Sequence, residues 1–574
     1  MRLNLSKYFN TIRHLKPVQI YGRLWYKIYH PHPDLSPPPA IRPLTGRWQK
    51  PPEKKPAMLA PNRFRFLNEE HDLLSQSDWN HPAKAKLWLY NLHYFDDLSA
   101  VGALERLNWH RSLIIRWIAE NPHGTGPGWE PYPLSLRIVN WIKWALAGNS
   151  FPKMSLESLA IQVRFLAKRM EFYLLGNHLL ANAKALIFAG LFFEGGEAEE
   201  WFRKGIKVYT EQIDEQILAD GGHFELSPMY HSIILEDILD LINLFQCYAD
   251  VEVEQRQDSR LRGYDDEIIS VVSRMIFWLK TMCHPDGQIA LFNDAALGIA
   301  VEPSALYEYA ERLGLSAFDA QPDKALSGKN DPVEILFYGK IKLTHLKESG
   351  YIRVEYGPVT AILDVAPIGP DYLPGHSHAD TLSFELSLNN QRVIVDSGTS
   401  HYADGSERLK HRGTAAHNTV SINGKDSSEV WGSFRVARRA HPMNLEIKEL
   451  SHNDVMVACS HDGYQRFDTS LIHRREWHFK ENRISVSDFI EGPYEKAMSR
   501  FYFSNEIQVK KKNDSLFIIN ISGQQKLYCR IEKGAGHLIF TNYYPEFGKK
   551  ISNQCLEVEI SGNGSVVVFE IPYD

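Results

Sequence analysis

The chain has 574 residues, of which 44% are hydrophobic, and it carries a formal net charge of -6 at pH 7. Because a single hydrophobic core stops growing near roughly 250–300 residues, this length predicts two domains. The 64 basic and 70 acidic residues leave no excess of positive charge for nucleic acid, and the five scattered cysteines suit neither a thiolate zinc site nor a disulfide framework.

Residues 1–30 form a basic and aromatic stretch that lacks the uninterrupted apolar core of a secretory signal. No segment approaches the roughly 20 consecutive apolar residues of a membrane-spanning helix. The sequence therefore predicts a cytoplasmic protein without a membrane span or a nucleic-acid partner, and it leaves the oligomeric state open. The stretch itself is expected to be a helix packed on the main body; a helix lying on a membrane surface is the alternative.

Two periodicities divide the rest of the chain. After a proline-rich arm at 30–56, apolar residues recur every three or four positions until about residue 313, which is typical of helices. From Gly350 onward apolar and polar residues alternate between turns, which is typical of antiparallel strands in packed sheets. The predicted organisation is an N-terminal arm with helices at 1–84, a helical domain at 85–314, a linker at 315–334 and an antiparallel β domain at 335–574.

Four polar, glycine-rich connections recur between pairs of helices in the helical domain, and their anchor residues lie 48, 53 and 63 positions apart. This spacing equals two helices and two turns, so the connections should lie at the same end of an array of α-hairpins. Curved into a ring, the array would form one rim suited to binding sugars. The alternative is that these are ordinary turn and capping residues. The rim residues are Trp129, Tyr132, Asn177, His178, Tyr230, His231 and Asn293.

Histidines and an aspartate mark the ends of adjacent strands in the β domain. His378 and Asp396 flank a predicted hairpin, which returns its far end next to its start, and His417 stands at the beginning of the next strand. Two imidazoles and one carboxylate form a donor set that suits zinc. The alternative is that these are ordinary surface or core histidines.

The motifs "GHSHAD", "VDSG" and "AAHNTV" in the β domain, with "GNHLLAN" and "SPMYH" in the helical domain, stand in the order found in one family. From about residue 85 to 574 the chain resembles the heparinase II/III-like polysaccharide lyases and the related alginate lyases. The resemblance implies an incomplete (α/α) toroid followed by an antiparallel β-sandwich, which agrees with the two periodicities. It also implies a periplasmic location as the alternative to the cytoplasm.

The resemblance implies a role for each matching residue. Asn177 and His178 would face the carboxylate of a uronic acid, and Tyr230 would be the catalytic tyrosine. His376 would enter the cleft from the β domain, and Tyr402 matches a second tyrosine. The ligands of one structural zinc ion would be His378, Asp396 and His417. Substrate binding would fall to Trp129, Tyr132, His231, Asn293 and Arg412.

The expected reaction is β-elimination on a uronate-containing polysaccharide, preferably one with little or no sulfation. It removes the C5 proton and expels the 4-O-linked sugar, so neutralising the uronate carboxylate is the main requirement. Tyr230 could serve as the base only if nearby positive charge, from His376 or Arg412, lowers its pKa. Two alternatives remain: a non-catalytic polysaccharide-binding or biosynthesis-associated protein, and a glycoside hydrolase. The hydrolase would use carboxylates from Glu130, Glu225 and Asp294.

Overall fold

The computed structural model describes residues 5–248, 264–315, 331–521 and 526–572. Most of the predicted linker, residues 316–330, lies outside this range. Helices dominate the described chain up to residue 315, and antiparallel sheets dominate it from residue 333 onward. The predicted order of a helical toroid and a β-sandwich is thereby confirmed.

The helices of the first half begin where proline or a polar turn allows it. Pro131, Pro228 and Pro303 each stand in the first turn of a helix, where their fixed φ suits the helix and no backbone donor is lost. The α-helices of the described chain are α1 (Leu5–Ile12), α2 (Pro17–Ile28), α3 (Lys86–Tyr94), α4 (Leu107–Glu120), α5 (Pro131–Leu146), α6 (Lys153–Lys168), α7 (Gly176–Phe192), α8 (Gly196–Gln216), α9 (Pro228–Cys247), α10 (Tyr264–Thr281), α11 (Pro303–Arg312) and, in the β half, α12 (Ser406–Arg412).

Burial separates the inner helices of the toroid from the outer ones. α7 and α9 are buried along nearly their whole length, whereas α8 is amphipathic and buries only one face. A helix that is apolar all round must be enclosed by others. The polar residues at the N-terminal ends of α7 and α9 therefore lie at the end of the inner helices, where the predicted rim was expected.

Every pairing of named strands in the described chain is antiparallel, and a six-stranded sheet within residues 333–394 packs against an eight-stranded one whose strands lie side by side in the order 442–451, 454–461, 472–480, 483–491, 564–570, 526–533, 516–520 and 508–511. Leu343, Val354 and Phe384 of the first meet Val457 and Trp477 of the second in one buried core. The strands of the β half are β4 (Val333–Tyr338), β5 (Ile341–Leu346), β6 (Tyr351–Tyr356), β7 (Val359–Asp364), β8 (Phe384–Leu388), β9 (Gln391–Ile394), β10 (Val420–Ile422), β11 (Val430–Trp431), β12 (Arg435–Val436), β13 (Pro442–Ser451), β14 (Asp454–His461), β15 (Ile472–Lys480), β16 (Arg483–Glu491), β17 (Ala497–Tyr502), β18 (Gln508–Lys511), β19 (Leu516–Asn520), β20 (Lys526–Lys533), β21 (Ala535–Tyr543), β22 (Ile551–Glu559) and β23 (Gly564–Glu570).

The six-stranded sheet also packs on the toroid. Trp278 and Phe292 of the helical half share a buried cluster with Tyr351 and Ile362, and the Trp278 indole donates a hydrogen bond to Ser349 at 2.9 Å. This contact brings the loop after α10 against the segment between β7 and β8, which contains "PGHSHAD". The two halves thus share a boundary at the predicted site.

The N-terminal region departs from the expectation in one respect. A small antiparallel sheet of β1 (Met58–Ala60), β2 (Arg63–Phe66) and β3 (Glu69–Asp72) stands where only an arm and helices were predicted. Its strands are too short to show a clear alternation, and Phe64 is its most buried side chain. No helix in the described part of the chain is both long and apolar enough to cross a membrane.

Candidate active site

A cleft of about 680 Å³ opens between the toroid, the small N-terminal sheet and the β half. Tyr132 and Tyr230 line it from the N-terminal ends of α5 and α9, and Tyr402 lines it from the β half. The hydroxyl oxygens of Tyr230 and Tyr402 are 3.1 Å apart. Phe547 packs on the Tyr402 ring with 4.9 Å between ring centroids. Two protonatable groups from the two halves therefore meet in one cleft.

His376 lies directly against this pair of tyrosines. Its ring centroid is 4.0 Å from that of Tyr230 and 5.7 Å from that of Tyr402. Burial raises the pKa of Tyr230 well above its ordinary value, and the nearby Tyr402 adds to the shift. The pKa of Tyr402 is likewise raised by burial. Both phenols are therefore protonated at neutral pH, so the condition under which Tyr230 could act as a base is not met.

Asp294, in the loop after α10, holds both histidines of the "GHSHAD" motif. Its carboxylate lies 3.0 Å from Nδ1 of His376 and 2.7 Å from Nε2 of His378. The guanidinium of Arg408 binds both carboxylate oxygens. Burial opposes the charge of Asp294, but Arg408 and the histidines outweigh burial and hold its pKa well below the usual range. Asp294 thus binds both histidines through different ring nitrogens, which leaves Nε2 of His376 and Nδ1 of His378 for other partners.

The backbone around Ser377 makes this divergence possible. Residues 374–383 contain no regular strand, and the Ser377 amide donates a turn hydrogen bond to the carbonyl of Pro374 at 3.4 Å. Pro374 and Gly375 favour such a turn. The guanidinium of Arg412 donates to the carbonyl of Ser377 at 2.8 Å and fixes the segment from the other side. In a regular strand the two histidines would share one face.

His378, Asp380 and His417 form the only group of metal-binding type found in the described chain, with donor atoms that all lie within 4.8 Å of one another. The Nε2 of His378 is bound to Asp294, and the Nδ1 of His417 is 2.6 Å from Asp396. The remaining nitrogens, Nδ1 of His378 and Nε2 of His417, are buried and have no hydrogen-bond partner among the described residues.

This arrangement fits a bound metal ion. A carboxylate that accepts from one imidazole nitrogen leaves the other nitrogen free to bind a metal, and Asp294 and Asp396 both act in this way. Burial raises the pKa of Asp380, so a cation beside it would offset the cost of its charge. Asp396, predicted as a ligand, lies outside this group of donor atoms and is bound to Nδ1 of His417. Asp380 stands two residues after His378, and its carboxylate is the one that joins the two imidazoles in the group.

Asn177 and His178 begin α7 beside a second pair of carboxylates. The Asn177 amide nitrogen lies 3.3 Å from Glu225, whose other carboxylate oxygen is 3.6 Å from Nε2 of His376. Nδ1 of His178 lies 3.1 Å from Glu171. Burial disfavours protonation of His178, but the Glu171 carboxylate outweighs it and raises the His178 pKa. The ring of His178 also packs on Tyr132, with 4.3 Å between centroids.

Gly176 is required where α7 begins. Its φ is +55°, and a Cβ there would lie 2.5 Å from the Leu373 side chain and 2.7 Å from Glu225. Three non-glycine residues near the site also adopt left-handed φ: Leu175, Leu226 and Asn293. Such conformations are costly and persist where the surrounding structure enforces them, which is common at functional sites.

Three residues predicted to bind substrate lie elsewhere. Trp129 is 3% exposed and packs between Trp117 and Phe165 in the core, because the loop that carries it turns inward. His231 is fully buried, stacked on Trp278, with Nε2 bonded to a backbone carbonyl. The fully buried Arg412 gives its hydrogen bonds to backbone carbonyls. These three side chains cannot reach a ligand in the cleft without rearrangement.

Asn293 has a structural place between the two halves. Its amide donates to the Leu226 carbonyl at 2.9 Å, and its carbonyl accepts from the His378 backbone at 3.0 Å. It therefore fixes the "PGHSHAD" segment on the toroid. Because Asn293 is only 5% exposed, its side chain has little surface to offer a substrate. Sequence reasoning missed Asp380, the role of Asp294 and the cation Arg408. Asp380 could have been found, because it lies within the "GHSHAD" motif. The contacts of Asp294 with Arg408 and the histidines join distant segments, so the spacing of nearby residues does not indicate them.

The chain thus combines a helical toroid with a β-sandwich, and tyrosines from both line one shared cleft with histidines packed against them. Residues 113–313 match the family described as "Heparinase II/III N-terminus", and residues 340–569 match "Heparinase II/III-like, C-terminal". The chain belongs to the heparinase II/III-like family.

Individual proteins of known sequence or structure also resemble this chain. A "Heparin-sulfate lyase" of Bacteroides stercoris is 30% identical over 44% of this chain, a match that spans only 37% of that protein's length. An "FtsZ-localized protein C" of Caulobacter vibrioides is 24% identical over 67% of this chain and 61% of that protein. A crystal structure of heparinase III has a TM-score of 0.65 and 17% identity, and covers 100% of this chain and 87% of that one. At 17% identity, the similarity to heparinase III shows a shared fold.

Proposed function

We propose that the protein cleaves a uronate-containing polysaccharide by β-elimination. The observation that carries the proposal is the convergence of Tyr230, Tyr402 and His376 from two halves at one cleft, with His178 close by. The family membership and the heparin-sulfate lyases among the relatives support it.

The reaction needs a proton acceptor for C5, a proton donor for the leaving oxygen and a positive environment for the uronate carboxylate. His178, whose pKa the Glu171 carboxylate raises, and the Asn177 amide would meet this need by donating hydrogen bonds to the uronate carboxylate. His376 takes the C5 proton on Nε2, because Asp294 holds its Nδ1. The electron pair of the C–H bond forms the C4–C5 double bond, and Tyr230 gives its proton to the departing 4-oxygen.

Hydrolysis by paired carboxylates has less support. Asp294 is fully buried and occupied by Arg408 and two histidines. Glu225 is buried behind Asn177 and His376, and Glu130 binds the Tyr90 hydroxyl and Lys86. A glycosidase needs one carboxylic acid and one carboxylate on either side of the substrate bond. The carboxylates here are used to hold other side chains.

Three of the lysines that line the cleft are each paired with an aspartate, which favours a polymer with little sulfation. Lys54 lies 3.3 Å from Asp96, Lys184 lies 2.6 Å from Asp237, and Lys143 is paired with Asp240. A cation that is already neutralised offers little net attraction to a sulfate group. We therefore assign an unsulfated or weakly sulfated uronate polymer as the substrate class.

A zinc ion bound by His378, Asp380 and His417 is part of the proposal. The ion would supply structural order, since its ligands stand at the base of the segment that carries His376 into the cleft. Purified protein should then contain about one equivalent of zinc. Asp380→Asn should lose it and melt at lower temperature. Asp396→Asn should retain zinc with roughly 10–100-fold weaker affinity, because it only orients His417.

Zinc titration with a chromophoric chelator, followed by thermal melting, tests the ligand set. Retention of zinc by Asp380→Asn together with its loss from Asp396→Asn would return Asp396 to the ligand set. Well-folded parent protein without zinc would remove the metal from the proposal.

The activity is tested by incubating a panel of uronate polysaccharides with the full chain and recording ultraviolet absorbance. Elimination creates a conjugated double bond that absorbs, whereas hydrolysis does not. Tyr230→Phe should lower the rate by roughly 10²–10⁴-fold and leave polymer binding intact. Polymer binding without turnover in the parent protein would favour the non-catalytic alternative, which the similarity to "FtsZ-localized protein C" keeps open.

The raised pKa of His178 predicts a pH dependence. Protonated His178 is the useful form, and the Glu171 carboxylate raises the His178 pKa and so extends this form to higher pH. Glu171→Gln should therefore move the alkaline limb of the kcat/KM profile to lower pH. Glu197→Gln, which removes a carboxylate paired with Arg164, is the matched control and should leave the limb in place. An unchanged limb in Glu171→Gln would remove His178 from this role.

A further inference from the structure

The two N-terminal helices present rows of exposed apolar side chains. In α1, Leu5, Phe9 and Ile12 recur at helical spacing and are 49–76% exposed. In α2 the row consists of large aliphatic and aromatic residues that are 47–76% exposed, including a tryptophan at 61%. Monomeric proteins rarely expose contiguous apolar surface of this kind without a partner. The α2 row is Ile20, Tyr21, Leu24, Trp25 and Ile28.

The opposite face of α2 is already attached to the body of the protein. Gly22 lies against Tyr173, so that a Cβ there would come within 3.0 Å of the Tyr173 side chain. The guanidinium of Arg169 stacks on Tyr26 at 3.7 Å, and the buried Gln19 donates to the Tyr372 carbonyl at 3.0 Å. The exposed row is therefore the outer face of a docked helix.

The charge of this region differs from that of the rest of the chain. Residues 1–33 contain six Lys or Arg and no Asp or Glu, although the whole chain carries a net charge of -6. In α2, Arg23 and Lys27 are exposed and flank the apolar row. Neither residue forms an ion pair with any other part of the chain that the structure describes. Their charge is thus available to an anionic surface.

We propose that the outer face of α1 and α2 binds the surface of an anionic lipid bilayer. Apolar and aromatic side chains enter the boundary between headgroups and acyl chains, while flanking Lys and Arg attract the lipid phosphates. Tryptophan and tyrosine favour this boundary because their rings are apolar at one end and polar at the other. A second copy of the chain is a weaker occupant, since two such faces would bring like charges together. The inference does not depend on the proposed lyase activity.

The test is sedimentation of the full chain with phosphatidylcholine vesicles that contain about 30% phosphatidylglycerol, beside vesicles of phosphatidylcholine alone. The parent protein should bind the anionic vesicles, and less so at high salt. Leu24→Ser/Trp25→Ser/Ile28→Ser should lower the partition coefficient by at least about tenfold. Arg23→Glu/Lys27→Glu should lower it and weaken the salt dependence.

The matched control is Phe337→Ser/Phe540→Ser, which removes two residues that are 65% and 81% exposed in the β half. It should bind like the parent, and equal melting temperatures would establish that all variants fold. Absence of parent binding to anionic vesicles would overturn the proposal, as would equal binding by parent and α2 variants. Sedimentation equilibrium showing a dimer that the α2 variants dissociate, without vesicle binding, would assign the face to a second copy.

Discussion

Replacing His376 with alanine is expected to lower turnover of the substrate polysaccharide by roughly 10²–10⁴-fold and to leave the zinc content unchanged. The side chain lies 4.0 Å from the Tyr230 ring and is held through Nδ1 by Asp294, so its removal takes away the proposed proton acceptor. Its other nitrogen, Nε2, lies 3.6 Å from Glu225, and His376 is not a member of the metal-binding group. The measurements are initial rates by ultraviolet absorbance and zinc content by mass spectrometry.

His378→Ala should lose both zinc and activity, although this residue does not line the cleft. Its free Nδ1 belongs to the metal-binding group and its Nε2 is bound to Asp294, so the segment that carries His376 depends on this side chain. His441→Ala, which changes an exposed histidine, is the control and should match the parent. Equal loss of zinc in His376→Ala and His378→Ala would make the two histidines co-ligands and transfer the proton-accepting role to another residue, such as His178.

The fold could be predicted from the sequence because the patterns that indicate helices and strands are local. The change from a spacing of three and four residues to a spacing of two divides the chain where the helices end and the strands begin. The small sheet at Met58–Asp72 escaped because three strands of three or four residues leave too few positions for a pattern.

The candidate site was only partly predictable, because its geometry rests on contacts between distant segments. The convergence of Tyr230, Tyr402 and His376 had been implied by the resemblance, and the structure brings these residues together. Spacing alone could not tell that Trp129 and His231 turn into the core, since aromatic and histidine side chains occur in both places. These two residues illustrate how a polar loop can serve packing.

Asp380 and Asp396 show a second limit of sequence reasoning. Both aspartates stand near strand ends, and the hairpin argument brought Asp396 close to His378 and His417. Which carboxylate points at the shared space depends on the irregular backbone of residues 374–383. In the structure Asp396 accepts from His417 and Asp380 completes the donor group. The order of the strands predicts which residues lie near one another. It does not predict which way a side chain points when the backbone is irregular.

Asp294→Asn is expected to lower the free energy of unfolding by about 3–5 kcal/mol, because it leaves the Arg408 guanidinium buried without its counter-charge. Arg408 and Asp294 are both fully buried, and the remaining partners of Arg408 are Thr399 Oγ1 and the Ser433 carbonyl. Turnover should fall together with the stability, since His376 loses the carboxylate that holds its Nδ1. Chemical denaturation measures the stability. Asp286→Asn, which breaks the partly exposed pair with Arg392, should cost only about 1 kcal/mol.

The stability difference between Asp294→Asn and the parent should also depend on pH. Burial opposes the charge of Asp294, but Arg408 outweighs it and keeps the pKa well below the unfolded value. The contribution is therefore present in full above about pH 4 and is lost as the pH falls further, so the two proteins should become more alike in acid. A difference that stays constant down to the acid unfolding of the parent would contradict the assigned charge.

The double variant Asp294→Asn/Arg408→Met separates stability from function. It removes the uncompensated guanidinium, and replacing a buried ion pair with apolar atoms of similar volume is often neutral, so most of the lost stability should return. Activity should not return, because neither asparagine nor methionine can hold Nδ1 of His376 and Nε2 of His378 as the carboxylate does. If the double variant recovered its turnover together with its stability, Asp294 would have only a structural role, and the position of His376 would have to be fixed by Glu225 instead.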